Sequence, residues 1–318
     1  MKPSQQTKII TITLNPAIDK TVEINDFKTG SVNRVSSIRV DAGGKGINVS
    51  KVIKSLGGES RALGILAGKN GEFIKAYLDS LNIENDFIFI QGETRTNLKI
   101  IDNINHSNTD INEPGSVVAA EDLTKVEESI FGAIKDEAIL VLSGSTPAGV
   151  PKDIYGTWIK RARQLGAKVI LDADGELLKE GLKAGPYLIK PNIHELERLC
   201  SKNLESLEEV VKAAQKLHDY GVERIVVSLG GDGALFIDKD KIVRSEGLKV
   251  PVKSTVGAGD SMVAALSIAS EKGYSMEETV VLATAVSAAN VMTSGTQPAE
   301  LKDILELKKN VKFEYIKL

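Results

Sequence analysis

Ser254-Thr255-Val256-Gly257-Ala258-Gly259-Asp260 places a carboxylate directly behind a turn of small residues. Residues 263–270, which follow, are small and mostly apolar and read as a helix. The backbone N–H groups of Gly257, Ala258 and Gly259 would then converge on one point at a helix start, beside an acid. Such a place can hold developing negative charge and accept a proton in the same event, as phosphoryl transfer to a hydroxyl requires. A plainer reading makes Asp260 an ordinary helix N-cap. The choice turns on whether the chain also supplies a phosphate-donor site, a metal site and a site for a hydroxyl-bearing acceptor.

Further loops offer such groups. Asn15-Pro16-Ala17-Ile18-Asp19 puts a carboxylate just past a strand-like run, where ligands of open α/β sheets bind. Asp19 could accept from sugar hydroxyls or merely form an Asx turn, and the residue alone leaves both open. Asp41-Ala42-Gly43-Gly44-Lys45-Gly46-Ile47-Asn48 brings glycines ahead of a helix, so that backbone can approach a ligand and Asn48 can face it. It is not a Walker A loop, because Gly46 follows Lys45 where Ser or Thr is required, and it lacks the dinucleotide spacing. Lys190-Pro191-Asn192-Ile193-His194-Glu195 sets an amide and a carboxylate three apart at a helix start. They suit a hydrated Mg²⁺, although the spacing by itself favours a capping box. Asp172, ending a neighbouring strand, is a second candidate for the metal. Ser228-Leu229-Gly230-Gly231-Asp232-Gly233 could pass over a nucleotide or be a simple hairpin turn. Ser143-Gly144-Ser145-Thr146-Pro147 offers hydroxyls for a phosphate or sugar.

The elements that must carry these loops are legible. Apolar runs at 9–14, 139–142, 168–172, 187–190 and 224–229 alternate with helical patterns at 153–165 and 207–220, each closed by a glycine. That alternation predicts a parallel sheet covered on both faces, an α/β fold, in one unit spanning residues 1–318. Segments at about 20–40 and 87–112 alternate apolar with polar residues and predict antiparallel strands of a small accessory sheet, placed like a lid. Its exposed edges would be covered by a second copy, which predicts a homodimer.

The 318 residues carry a formal net charge of −3 with no basic block, which argues against nucleic acid as a partner. One cysteine, Cys200, excludes an intramolecular disulfide and a zinc-ligand cluster, and it reads as core filler. No apolar run is long enough for a membrane, and residues 1–8 are polar without a leader segment, so a cytoplasmic protein is expected.

Taken in order, Asn-Pro-x-x-Asp, Gly-Gly-Lys-Gly-x-Asn, Asn-x-x-Glu, Ser-x-Gly-x-x-Gly and Thr-Val-Gly-Ala-Gly-Asp resemble the loops of PfkB carbohydrate kinases, a ribokinase-like family, from about residue 10 to 296. The resemblance implies a mainly parallel sheet flanked by helices with a small β-sheet lid. It implies Asp260 as catalytic base, with the amides of Gly257, Ala258 and Gly259 as anion hole. Asn192 and Glu195 would organise magnesium. Lys190, Asn192, Ser228, Gly230, Gly233, Ser254 and Val256 would border ATP, with Ser287 and Asn290 nearer the adenine. Asp19, Gly43, Gly44, Lys45, Asn48, Arg95 and Ser143 would hold a sugar phosphate, with Arg95 as a lid-borne fork for the phosphate. The loops at 13–19, 94–99 and 109–115 resemble the branch acting on phosphosugars. They imply ATP-dependent phosphorylation of fructose 1-phosphate, with tagatose 6-phosphate or fructose 6-phosphate as alternative acceptors. A reading of another class is a sugar-phosphate-binding regulator without catalysis.

Overall fold

A computed structural model describes residues 7–317. The reading of residues 1–8 as leaderless falls mostly outside the described residues. In chain order the strands are β1 (Ile9–Thr13), β2 (Ala17–Ile24), β3 (Val35–Gly43), β4 (Ser60–Ala67), β5 (Glu84–Ile90), β6 (Arg95–Asp102), β7 (Ser107–Asn112), β8 (Ile139–Ser143), β9 (Lys168–Asp172), β10 (Leu188–Ile189), β11 (Arg224–Ser228), β12 (Ala234–Ile237), β13 (Ile242–Ser245) and β14 (Phe313–Tyr315). The helices are α1 (Lys45–Ser55), α2 (Gly68–Ser80), α3 (Ala120–Ala133), α4 (Ile154–Gln164), α5 (Gly175–Leu182), α6 (Ile193–Cys200), α7 (Leu207–Gln215), α8 (Ala258–Lys272), α9 (Met276–Val291) and α10 (Leu301–Lys308).

A ten-stranded sheet runs β14-β13-β12-β11-β10-β9-β8-β1-β4-β5. It is parallel from β11 to β5, and β12 to β14 are antiparallel. Its strands are apolar throughout because both faces are covered. Ile9, Ile139 and Val141 pack under Val49, Val263 and Val280 of α1, α8 and α9. Ile10, Ile12, Leu140 and Leu142 pack under Ile130, Trp158 and Val211 of α3, α4 and α7. With both faces closed, functional polar groups are left to the strand ends: Thr13, Ser143, Asp172 and the residues after β10 and β11 collect at the carboxyl edge, where α/β sheets bind ligands.

The lid is a four-stranded sheet, β3-β2-β6-β7. Two expectations need correction. Residues 87–90 belong to β5, the edge of the main sheet paired parallel to β4. Phe87 is buried and Phe89 exposed, because an edge strand is only half covered, and this gives the same alternation as a lid strand. The lid is also mixed rather than antiparallel: β2 pairs β6 in parallel, since β4, α2 and β5 intervene and bring the chain back in the same direction. Cross-strand partners share a face. Asp19, Asp41 and Asn97 therefore lie on one face, and Val22, Ile38 and Ile100 on the other. Cys200, expected in the core, is exposed at the end of α6.

Candidate active site

Asp260 is the third residue of α8, whose N-cap is Gly257 in the left-handed region (φ 83°) with no side-chain cap bond. The helix-cap reading of Asp260 is thus not what is built. Its carboxylate leaves its own helix and accepts from Asn48 Nδ2 at 2.8 Å. The first-turn N–H groups have no intrahelical acceptor, and the Ala258 N–H reaches only weakly back to the Thr255 carbonyl, at 3.5 Å. Burial pushes the Asp260 carboxyl above the usual carboxylate range, against the pull of the Lys45 ammonium. Such a group has the affinity to take a hydroxyl proton.

Asn48 is aimed by α1, which starts at Lys45 behind Gly44. At Gly43 the backbone comes close to the Asp19 side chain: a Cβ there would collide with its carboxylate. Lys45 and Asn48, three apart, share one side of α1. Lys45 Nζ pairs with Asp172 Oδ2 at 3.0 Å, and Lys190 Nζ with Asp172 Oδ1 at 3.2 Å. Although burial opposes its charge, the two ammonium groups hold Asp172 down to about 2. Asp172, expected beside a metal, is instead the shared anion of two lysines, with one facing each oxygen. Lys190 Nζ also lies 3.4 Å from where a Cβ on Gly259 would stand, so positive charge borders the glycine amides.

Asn192 and Glu195 form the capping box the spacing favoured. Asn192 Oδ1 accepts from the Glu195 N–H and Glu195 Oε2 from the Asn192 N–H, both at 2.8 Å. Among the described residues no group of three Asp, Glu, His or Cys gathers to hold a metal. The donor set fits a magnesium ion held through its waters, not a protein cage. Glu195 is buried, burial pushes its carboxyl up, and it borders the cleft lined by Lys45, Ser143 and Arg95.

On the acceptor side Asp19 is not an Asx turn but a residue of β2, accepting from Asn97 Nδ2 at 2.9 Å. Arg95 opens β6 and donates to the carbonyls of Glu113 (3.0 Å) and Asn15 (3.3 Å), while its Nε is buried without a protein partner. Asn48 Oδ1, Asn97 Oδ1, Thr13 Oγ1 and Ser143 Oγ are likewise buried and unpaired. Unpaired buried polar atoms are rare, and their concentration here suits a polar ligand.

A second groove runs past the turn at Gly230–Asp232. Ser228, Gly230, Gly233 and Ser287 border it as expected, with Asn192 at its mouth, and Leu229, Leu248, Val250, Val252, Met262 and Val291 give it apolar walls. Four of the residues expected there, Lys190, Ser254, Val256 and Asn290, are not among its lining. The Ser254 hydroxyl accepts from the Val256 N–H at 3.2 Å. Val256 lines the lid cleft with Asp19 and Asn97. Asn290 is buried behind the glycine turn, donating to the Gln297 carbonyl at 3.2 Å and standing 3.4 Å from the Cβ position of Gly257. Its amide group thus packs against the turn. Residues not foreseen are Asn97, Asn15 and the wall at 248–252. Asn97 was findable, being two past Arg95 on a strand and so on the same face; Leu248, Val250 and Val252 show the same period of two.

The model of the pfkB family of carbohydrate kinases matches residues 9–303. A 1-phosphofructokinase of Borreliella burgdorferi is 36% identical over 309 residues, covering 97% of this chain and 99% of that protein. One of Haemophilus influenzae is 37% identical over 294 residues, covering 92% and 94%. A crystal structure of phosphofructokinase-2 from Escherichia coli in complex with fructose-6-phosphate has a TM-score of 0.90 at 30% identity, covering 96% of this chain and 99% of that one.

Proposed function

The chain belongs to the pfkB family of carbohydrate kinases, phosphotransferases of ribokinase-like fold, and we propose that it transfers the terminal phosphoryl group of ATP to fructose 1-phosphate, giving fructose 1,6-bisphosphate. The observation that carries this reading is the turning of the Asp260 carboxylate out of its own helix, onto Asn48 and beside the amides of Gly257–Gly259. The acceptor comes from the relatives named 1-phosphofructokinase.

In this scheme Asp260 takes the proton of the acceptor hydroxyl as the oxygen attacks phosphorus. The glycine amides and the positive end of α8 meet the charge on the transferring group. Lys190, just past β10, and Lys45, at the start of α1, add positive charge. Asp19, oriented by Asn97, holds sugar hydroxyls, and Arg95 with Ser143 holds the acceptor's own phosphate. The groove at Ser228–Gly233 takes the nucleotide. Magnesium, bound with ATP, neutralises phosphate charge; Asn192 and Glu195 would hold it through its waters.

We read residues 1–318 as one catalytic unit, acting in the cytoplasm as a homodimer through the lid. The support for the dimer is the two-faced lid: its polar face carries Asp19, Asp41 and Asn97, while Ile38, Val40 and Ile111 stand exposed on the other.

The test is kcat/KM with ATP and magnesium on fructose 1-phosphate, tagatose 6-phosphate and fructose 6-phosphate. The highest value is expected for fructose 1-phosphate. A preference for fructose 6-phosphate, the ligand of the solved neighbour, would replace the acceptor and keep the chemistry. Tight binding without ATP consumption on any of them would make the chain a sugar-phosphate sensor.

A further inference from the structure

Helix α1 buries a lysine that the chemistry above does not use. Lys51, one turn past Asn48, is 2% exposed. Its Nζ donates to the Ala42 carbonyl at 2.8 Å and to the Thr296 hydroxyl at 3.3 Å. Ala42 sits at the foot of lid strand β3, between Asp41 and the Gly43 that abuts Asp19. Thr296 backs the anion-hole turn, its Cα 3.7 Å from where a Cβ on Gly257 would stand. One ammonium thus touches both the wall that holds the sugar and the loop behind the amides that meet the phosphoryl group.

The same two segments are joined beside it. Asp41 pairs with Arg39 Nε at 2.7 Å and accepts from Gln297 Nε2 at 3.4 Å. Carboxylates face Lys51 from β2 (Asp19), β3 (Asp41) and α8 (Asp260), and the Tyr77 ring of α2 lies 6.0 Å away. Burial strips the ammonium of water and pulls its pKa to about 8 in spite of those carboxylates. An apolar side chain of equal length would avoid that cost, but it could not hold a carbonyl and a hydroxyl from segments more than two hundred residues apart.

We propose that Lys51 is a positioning residue for phosphoryl transfer, clamping the foot of the lid at Ala42 to the Thr296 loop so that acceptor and anion hole stay in register. This rests on the reading of the cleft as the transfer site. Reacting groups displaced by about 1 Å can cost on the order of 10²-fold in rate, so a loosened clamp registers in kcat before it registers in binding.

The experiment is a cycle of Lys51→Met, Thr296→Val and the double variant, with initial-rate kinetics and backbone hydrogen exchange. Lys51→Met is expected to lower kcat about tenfold or more, with the KM for ATP little changed. The double variant should be no slower than Lys51→Met alone, because both remove one contact. Exchange should quicken together in residues 38–43 and 292–297. Wild-type kcat in Lys51→Met, effects that multiply in the double variant, or unchanged exchange in both segments would each overturn the proposal. If Lys51→Met does not fold, Thr296→Val, which keeps the buried charge, is judged by the same two readouts. If the wild-type chain phosphorylates none of the phosphosugars, the functional reading falls, and the exchange data still decide whether the clamp exists.

Discussion

Burial raises the proton affinity of Asp260, and the shift acts in opposite directions on rate and on stability. A base must be unprotonated, so the acid limb of kcat/KM, which reports the free enzyme, should lie above the ordinary Asp value of about 3.9; a limb at or below it in a pH–rate profile would remove Asp260 from the role. For stability, a raised folded pKa favours the folded state fully below the unfolded value, and the benefit is lost as pH rises through the folded value. Near neutral pH the buried carboxylate is therefore a net cost. Asp260→Asn should cut kcat by about 10²–10⁴-fold with Tm unchanged or higher, a combination that activity assay and calorimetry read together. Retained turnover with a lower Tm would mark a structural residue. Arg95 donates to two carbonyls and, among the described residues, forms no salt bridge with a carboxylate, so its charge is available to an anion. Arg95→Ala should raise the KM for the phosphosugar about tenfold or more, since each lost charge-assisted bond is worth roughly 1.5–3 kcal/mol. The KM for ATP should hold, and Arg95→Lys should not restore the fork.

At the level of elements, the capping box of α6 and the proposed magnesium site would use the same two side chains, and one substitution separates the roles. Gln at position 195 can still accept the Asn192 N–H, so the box and the helix survive in Glu195→Gln. The charge on the cation does not, and the magnesium concentration for half-maximal rate should rise at unchanged Tm. An unchanged magnesium dependence would leave Glu195 a cap and nothing more. The end of β3 lies so close to β2 that Gly43 has no room for a methyl group beside Asp19. Gly43→Ala should displace that carboxylate and raise the KM for the sugar phosphate, while the KM for ATP, assigned to the groove at Ser228–Gly233, should hold.

For the whole molecule, the main sheet hides both faces, whereas the lid's apolar face is covered at Val22, Ile24 and Ile100 of the inner strands and open on the edge strands. The lid's polar face looks onto the cleft, and Ile38, Val40 and Ile111 remain exposed on the other. Strands β3 and β7 are also unpaired edges. Sedimentation should give twice the mass of one chain, and Ile38→Lys, which puts a charge on that face, should give the mass of one. A wild-type chain that sediments as a monomer would refute the lid interface.

Local pattern sufficed for much of this. The apolar runs at 9–14 and 139–142 could only be strands closed on both faces, and such strands push polar chemistry to their carboxyl ends, where Ser143, Asp172 and Lys190 were duly expected and found. The turn before α8 likewise announced its amides and its acid from composition alone. Partners were a different matter. Asn48 reaches Asp260 across 212 positions and Lys45 reaches Asp172 across 127, so neither the release of Asp260 from capping nor the capture of Asp172 by lysines has a local signal. The same holds for Asn290, packed behind the turn at Gly257, and for residues 87–90, whose half-covered edge mimics a lid strand. Periodicity records which side of an element meets the core. Only packing in three dimensions decides which distant group it meets there, because that depends on how strands and helices are laid side by side and not on their order along the chain.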